Sequence, residues 1–167
     1  MPAIIAPIAA SHAESYRACL DAVAREGRYL AQLEALPIER IRQFVADSVA
    51  GDAVQFVALD GERVVGWADI FAAWQPAIAH CGSLGMGVHA DYRGQGLGER
   101  LLSACVAKAR VKGITRIELE TRVDNERAIR LYEKLGFVHE ARRKNAMRFD
   151  GAYHDAFQMR LLLDDHS

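Results

Sequence analysis

Of the 167 residues in this chain, Val88-His89-Ala90-Asp91-Tyr92-Arg93-Gly94-Gln95-Gly96-Leu97-Gly98 constrain the fold most. The run from Ser83 to Val88 reads as a strand, and beyond the glycines Leu97, Leu101, Leu102, Cys105, Val106 and Ala109 recur at helical spacing. A strand that turns through glycines into a helix bares backbone N–H groups at the positive end of a helix dipole, with no Cβ atoms in the way. Such a turn suits a phosphate or pyrophosphate.

The rest of the chain supplies the pieces around it. Ala3 to Ala9 reads as a first strand, and Pro7 suits it to an edge. Ser11 with Glu14 predicts a capped helix running to about Glu26 and stopped by Gly27. Pro37 opens a second helix with Ile38, Ile41, Phe44, Val45 and Val49 on its apolar face, ending at Gly51-Asp52. Ala53 to Leu59 and Arg63 to Phe71 flank Asp60-Gly61, a strong hairpin signal, and Ala77 to Val88 adds a third strand to the meander. After the helix broken at Gly113, Arg116 to Arg122 alternates charged and apolar residues as a half-exposed strand does. Asp124-Asn125 starts a helix that Gly136 closes, and Phe137 to Phe149 and Tyr153 to Leu163 flank a second hairpin turn, Asp150-Gly151. This order predicts one α/β (α+β) domain over residues 1–167: a mixed, mostly antiparallel central sheet of about seven strands with helices on both faces. The glycine turn then sits at the C-terminal end of a strand, beside a junction in the sheet.

A formal charge of −1 gives no electrostatic reason to expect nucleic acid or a membrane surface as partner, and no run of residues has the length and apolarity of a membrane span. Cys19, Cys81 and Cys105 are odd in number and widely spaced, which points to reduced core thiols rather than disulfides or a metal site, and so to a soluble cytoplasmic protein. The phosphate ligand is narrowed by spacing. Glu99 stands where a dinucleotide fingerprint needs its third glycine, and no Gly-Lys-Ser/Thr occurs for a nucleoside triphosphate loop.

By contrast, Arg93-Gly94-Gln95-Gly96-Leu97-Gly98 resembles the Arg/Gln-x-x-Gly-x-Gly/Ala motif of the GNAT superfamily of N-acetyltransferases. Downstream, Asn125-Glu126-Arg127-Ala128-Ile129-Arg130-Leu131-Tyr132-Glu133-Lys134-Leu135-Gly136-Phe137 resembles that superfamily's Asn-x-x-Ala-x-x-Leu-Tyr-x-x-x-Gly-Phe segment. The likeness is clear from about Val54 to Phe137, whereas Met1 to Ala50 fits only by helix count.

The resemblance implies the acyl-CoA N-acyltransferase fold and acetyl-CoA as co-substrate, with no metal. It places the coenzyme A pyrophosphate on Arg93, Gly94, Gln95, Gly96, Leu97 and Gly98, and the pantetheine arm along the backbone of Met86, Gly87 and Val88. Asn125 and Ala128 complete the cofactor contacts, and Tyr132 is placed to protonate the departing thiolate. Gly85 and Gly87 are consistent with a bulge in that strand. Acetyl transfer to an amine needs a neutral amine, stabilised charge in the tetrahedral intermediate and a proton for the thiolate. Glu120 resembles in position the catalytic Glu of ribosomal-protein N-terminal acetyltransferases and is the candidate base, with His80, His89 or a water relay as alternatives. Tyr29, Trp74, His80 and Tyr153, with His154 and Arg28, are candidates for the acceptor side by position. Arg142, Arg143 and Lys144 read as a solvated face. The expected activity is transfer of acetyl from acetyl-CoA to a primary amine of a small molecule, such as an amino acid or an amine-bearing toxin or antibiotic. Protein N-terminal acetylation and a coenzyme A binding module without turnover are the alternatives, and the pairing common in the superfamily makes a homodimer an expectation.

Overall fold

The computed structural model describes residues 2–163. Strand β1, Ile4–Pro7, lies at one edge of the sheet and pairs only with β2, Val54–Asp60, as Pro7 in a strand requires. A 3-10 turn, Ala10–His12, then leads into α1, Ala13–Arg25. Here the chain departs from the expected Ser11 cap. The His12 ring accepts the Ala9 N–H at 3.0 Å, and Glu14 is instead bonded to Arg42. Helix α2, Ile38–Ala50, packs on α1 with Ile41, Val45 and Ser48 inward, which rolls Val49 to 46% exposure.

Strands β2 and β3, Arg63–Ala72, form the first hairpin, with Asp60 paired to Arg63, so the turn residues are Gly61 and Glu62, one place later than predicted. Strand β4, Cys81–Val88, is shorter than predicted because Pro76–Ile78 is a 3-10 turn. Helix α3, Leu97–Val111, crosses to β5, Arg116–Arg122; α4, Glu126–Lys134, and the hairpin of β6, Val138–Phe149, and β7, Ala152–Leu162, complete the chain.

The seven strands lie in the order β1-β2-β3-β4-β5-β7-β6, antiparallel except for β4 and β5. That parallel pair decides where the sheet opens. It holds only at Cys81↔Arg116, Gly82↔Ile117 and Ser83↔Glu118. From Leu84 onward β4 stays with β3, up to Gly66↔Val88, while β5 stays with β7, up to Arg122↔Ala156. The sheet therefore opens into a wedge with unpaired β4 backbone along one side.

Two cores cover the sheet. On one face Tyr16, Cys19, Leu20 and Val23 of α1 and Ile41 and Val45 of α2 pack on Val57, Val64 and Trp67. On the other, Leu97, Leu101, Leu102 and Cys105 of α3 and Tyr132 of α4 pack on Val65, Ala68, Ile70 and Ile117.

The expected bulge at Gly85 and Gly87 is absent, since β3 and β4 pair without a register shift from Ala72↔Gly82 to Gly66↔Val88. Close approach is what demands glycine there. A Cβ on Gly87 would stand 2.4 Å from the Trp67 ring, and one on Gly85 would stand 3.1 Å from the Asp69 carboxylate.

Candidate active site

The wedge is the floor of a cleft of about 1380 Å³, larger than the ~300–1,000 Å³ of ordinary small-molecule pockets and so roomy enough for two ligands. One wall runs from Ser83 through Val88 to the turn Arg93, Gly94, Gly96, Leu97 and Gly98, and across to Asn125, Ala128, Leu131 and Tyr132. The other is made by Arg28, Tyr29, Leu30 and Ala31 of the α1–α2 loop, Glu118 and Glu120 of β5, and Arg143, Met147 and Gln158 of the last hairpin.

On the first wall the chemistry is carried by backbone. Gly94 and Gly96 adopt φ of 77° and 78°, the left-handed region that side-chain-bearing residues avoid, and this turns the chain abruptly from β4 into α3. The first turn of α3 leaves the N–H groups of Leu97, Gly98 and Glu99 without partners inside the helix, at the positive end of its dipole. Gly98 has a different reason to be small, since a Cβ there would stand 3.1 Å from Leu131 and 3.4 Å from Met86. Of the predicted cofactor residues, Met86, Gly87, Val88, Arg93, Gly94, Gly96, Leu97, Gly98, Asn125, Ala128 and Tyr132 line the cleft together; Gln95 belongs to the turn but not to the lining. The Arg93 guanidinium does not face the turn's N–H groups. Its Nε donates to the Val88 carbonyl at 2.9 Å, and its two terminal nitrogens donate to Glu26 at 2.9 and 2.6 Å.

Asn125 caps α4, its Oδ1 accepting the Ala128 N–H at 3.5 Å. Two helical turns on, Tyr132 is buried, with its ring centroid 5.8 Å from that of Phe137. Burial pushes its phenol up to about 12, so it keeps its proton across the physiological range. The same desolvation lifts the buried thiols Cys19 and Cys105 to about 12.

On the second wall the chemistry is carried by side chains. Glu120 is bonded to Arg143 across the sheet, and its register partner on β7 is Gln158. Arg143 shares the face of Glu120 because one extra residue of β6 between His139 and Ala141 shifts the register to Ala141↔Gln158 and Arg143↔Ala156; two further residues are inserted between Arg143 and Met147. Asp155 stabilises this irregularity, accepting the Asn145 N–H and the Arg142 Nε, each at 2.9 Å. Read from sequence, Arg143 belongs to a solvated face; the one-residue shift between His139 and Ala141 turns it toward Glu120 instead, and Asn145 at φ 52° marks the second interruption. Arg127 and Arg130 of α4 also stand at the rim of the cleft and carry no sequence signal beyond their places inside the second motif.

Other predicted residues lie elsewhere. Trp74, 84% exposed, and His80, whose carbonyl accepts the Thr115 and Arg116 N–H groups, sit at the closed end of the β4–β5 pair and do not line the cleft. Tyr153 stands at the far end of the β6–β7 hairpin beneath Arg148, and His154 packs on Phe149. His89 caps the 3-10 turn Ala90–Tyr92, its Nδ1 accepting the Asp91 N–H at 3.2 Å. Tyr29 and Arg28 alone of the acceptor-side candidates reach the cleft. Among the described residues no cluster of His, Cys, Asp or Glu is arranged to hold a metal, and no helix is long and apolar enough to cross a membrane.

Known proteins are similar to this chain in sequence and in fold. N-alpha-acetyltransferase 30 of Schizosaccharomyces pombe is 38% identical over 93 residues, 52% of this chain and 59% of that protein. The ribosomal protein bS18-alanine N-acetyltransferase of Escherichia coli K12 is 34% identical over 91 residues, 54% of this chain and 62% of that protein. The chain thus spans about three fifths of the length of these curated relatives. The structure of YncA of Salmonella typhimurium, solved with its cofactor acetyl-CoA, superposes with a TM-score of 0.92 at 19% identity, covering 100% of this chain and 97% of that one. A sequence profile described as Acetyltransferase (GNAT) family matches residues 16–137, the span that holds the glycine turn, the wedge and the Asn125–Tyr132 helix. The chain belongs to the GNAT family of acetyltransferases.

Proposed function

We propose that the chain transfers acetyl from acetyl-CoA to a primary amine of a small molecule, by direct attack of the amine on the thioester. The observation that carries this reading is the shared cleft: one opening in the sheet brings together an anion-binding turn, unpaired strand backbone, a protonated Tyr132 and the carboxylate of Glu120. The pyrophosphate would rest on the N–H groups of the turn and of the first turn of α3, with Arg127 and Arg130 at the rim for the remaining phosphate charge. The pantetheine amides would bond the backbone of Met86 to Val88 as an added strand, which presents the thioester to the acceptor wall.

The amine then attacks the carbonyl carbon, the carbonyl π electrons move to oxygen, and backbone N–H groups in the wedge are placed to stabilise that oxyanion. Glu120 takes a proton from the nitrogen, directly or through water. Collapse of the intermediate breaks the C–S bond, and the Tyr132 hydroxyl gives its proton to sulfur. Tyr29 and Arg28 supply an aromatic surface and a cation to an acceptor carrying a carboxylate.

A second reading, acetylation of a protein N-terminus, is favoured by the names of the two curated relatives and by the position of Glu120 inside the cleft. Thiol release from acetyl-CoA, followed against amino acids, polyamines, aminoglycosides and short peptides with free N-termini, separates the two. Release with free amines supports the first, release confined to peptides replaces it with the second, and release with none of them rejects acetyl transfer.

A further inference from the structure

The first residue of the phosphate turn has its side chain committed to the opposite wall. Glu26 is the residue that closes α1, a place where the negative end of the helix dipole disfavours a carboxylate. It is nevertheless held there by both terminal nitrogens of Arg93, with side-chain exposures of 21% for Arg93 and 30% for Glu26. The same guanidinium lies 4.8 Å from the centroid of the Tyr29 ring and bonds the carbonyl of Val88, the last residue of β4. Arg93 thereby joins three parts: the end of the strand that would pair with pantetheine, the start of the phosphate turn, and the start of the acceptor-side loop.

That loop is held differently along its length. Its far end is tied to α1, where the Asp21 carboxylate accepts the Ala35 N–H at 2.9 Å and Arg17 donates to the Leu36 carbonyl at 2.7 Å. Its near end, Arg28 to Ala31, follows Gly27 at φ 63° and lies on the cleft. There the ties to the cofactor wall are the Glu26–Arg93 pair and the stack on Tyr29.

We propose that Glu26 is a positioning residue: through Arg93 it seats residues 28–31 on the cofactor wall, so that a phosphate resting on the turn orders the acceptor side of the cleft. The proposal rests on the acetyl-CoA reading above. A phosphate bound to the N–H groups after Arg93 fixes the backbone that carries the guanidinium, and the guanidinium is a rigid fork that sets both the carboxylate and the ring beneath it. Binding energy gained at one ligand site is thereby passed to the other as reduced freedom of the loop.

Hydrogen exchange with saturating acetyl-CoA tests this on the full chain. In the wild type, the amides of residues 28–31 should exchange about tenfold more slowly once acetyl-CoA is added. In Glu26→Gln, which keeps the shape and loses the charge, that protection should fall below about twofold while the acetyl-CoA Kd moves by less than about threefold, as expected for a residue outside the cradle. Glu26→Asp, which keeps the charge, should restore most of the protection; a merely structural contact would leave the effect of acetyl-CoA on the loop equal in all three proteins. Equal protection in wild type and Glu26→Gln overturns the proposal alone, whereas failure of acetyl-CoA to bind the wild type removes the acetyl-transfer reading and this one with it.

Discussion

Along one wall of the cleft the chain offers backbone, and along the other it offers side chains. The cofactor wall is a set of close approaches: Gly87 over Trp67, Gly98 against Leu131 and Met86, and Gly94 and Gly96 turned into the left-handed region. The acceptor wall is a set of charged pairs on strands and loops, Glu120 with Arg143 and Glu118 with Arg116, around the half-buried Tyr29. Backbone recognition needs particular residue types at fixed spacing, because only those types let the chain pass. Side-chain recognition can be rebuilt with other residues on the same scaffold, which is how one fold serves many acceptors.

The largest effect should come from the buried phenol of the first wall. Tyr132→Phe keeps the ring that packs on Phe137 and removes the proton donor. kcat should fall by about 10²–10⁴-fold, the usual range for a positioned acid, with the acetyl-CoA KM within about threefold of the wild type. Steady-state rates of thiol release decide it, and an unchanged kcat removes Tyr132 from the acid role.

Next comes a carboxyl beneath the cofactor wall. Asp69 is buried, with Gln55 and Gly85 as its cross-strand neighbours, and burial pushes it up to about 7 against the opposing pull of the Gly85 N–H. Folded, it holds its proton to about pH 7; unfolded, it releases the proton near 3.8. Its contribution to stability is therefore whole below about pH 4 and is lost as pH rises to 7, a loss on the order of 4 kcal/mol at about 1.4 kcal/mol per unit. Asp69→Asn should lack this loss, so the variant gains on the wild type between pH 4 and 7. The carboxyls of Asp21, Asp52, Asp124 and Asp155 are lowered by their partners and act in the opposite sense, but equally in both proteins. Denaturant unfolding at pH 4.5 and 8 measures the difference, and a constant gap between the two proteins would show that Asp69 ionises normally.

The same contrast governs how much could be read before the structure. Period-two and helical patterns, glycine stops and Asp-Gly turns located the strands and helices, and two motifs picked out residues that line one wall of the cleft, because close approaches and positive φ restrict residue type. What escaped was set by long-range geometry. The wedge depends on β4 and β5 leaving one another after Ser83↔Glu118, a pairing of residues 35 apart with no local signature. Arg143 stands on the face of Glu120 only through the one-residue register shift between His139 and Ala141, which is set by pairing with the neighbouring strand. Trp74 and His80 appear suitable by type and by position in a loop, but that loop joins β3 to β4 at the closed end of the wedge. The Ser11 cap failed for a local reason, since Ser11 lies inside the 3-10 turn Ala10–His12 and not at the position before α1, which His12 occupies.

A smaller effect tests whether the glycines of the cofactor wall serve packing or flexibility. In Gly87→Ala the new methyl would stand 2.4 Å from the Trp67 ring, so ring or strand must move. Overpacking of this kind costs about 1–3 kcal/mol. If Gly87 were required only for backbone freedom, the cost would be nearer 0.5–1 kcal/mol or reversed in sign, since a strand interior favours alanine over glycine by roughly that amount. Gly87→Ala should cost less in a Trp67→Leu background than in the wild type, because the ring is what the methyl meets; equal costs in the two backgrounds would place the strain elsewhere.

The smallest change in stability should accompany a clear change in specificity. Arg143 and Glu120 keep side-chain exposures of 55% and 31%, and an exposed pair of this kind contributes about 0–1 kcal/mol. Arg143→Gln should therefore unfold within about 0.5 kcal/mol of the wild type, as ordinary surface substitutions do. Its kinetic effect should appear in the acceptor KM, since Glu120 loses the side chain that holds it in place, while the acetyl-CoA KM stays unchanged. The acceptor wall predicts that division: little energy in the fold, much in the choice of amine. A matching rise in the acetyl-CoA KM would mean that the two walls are not separable at this residue.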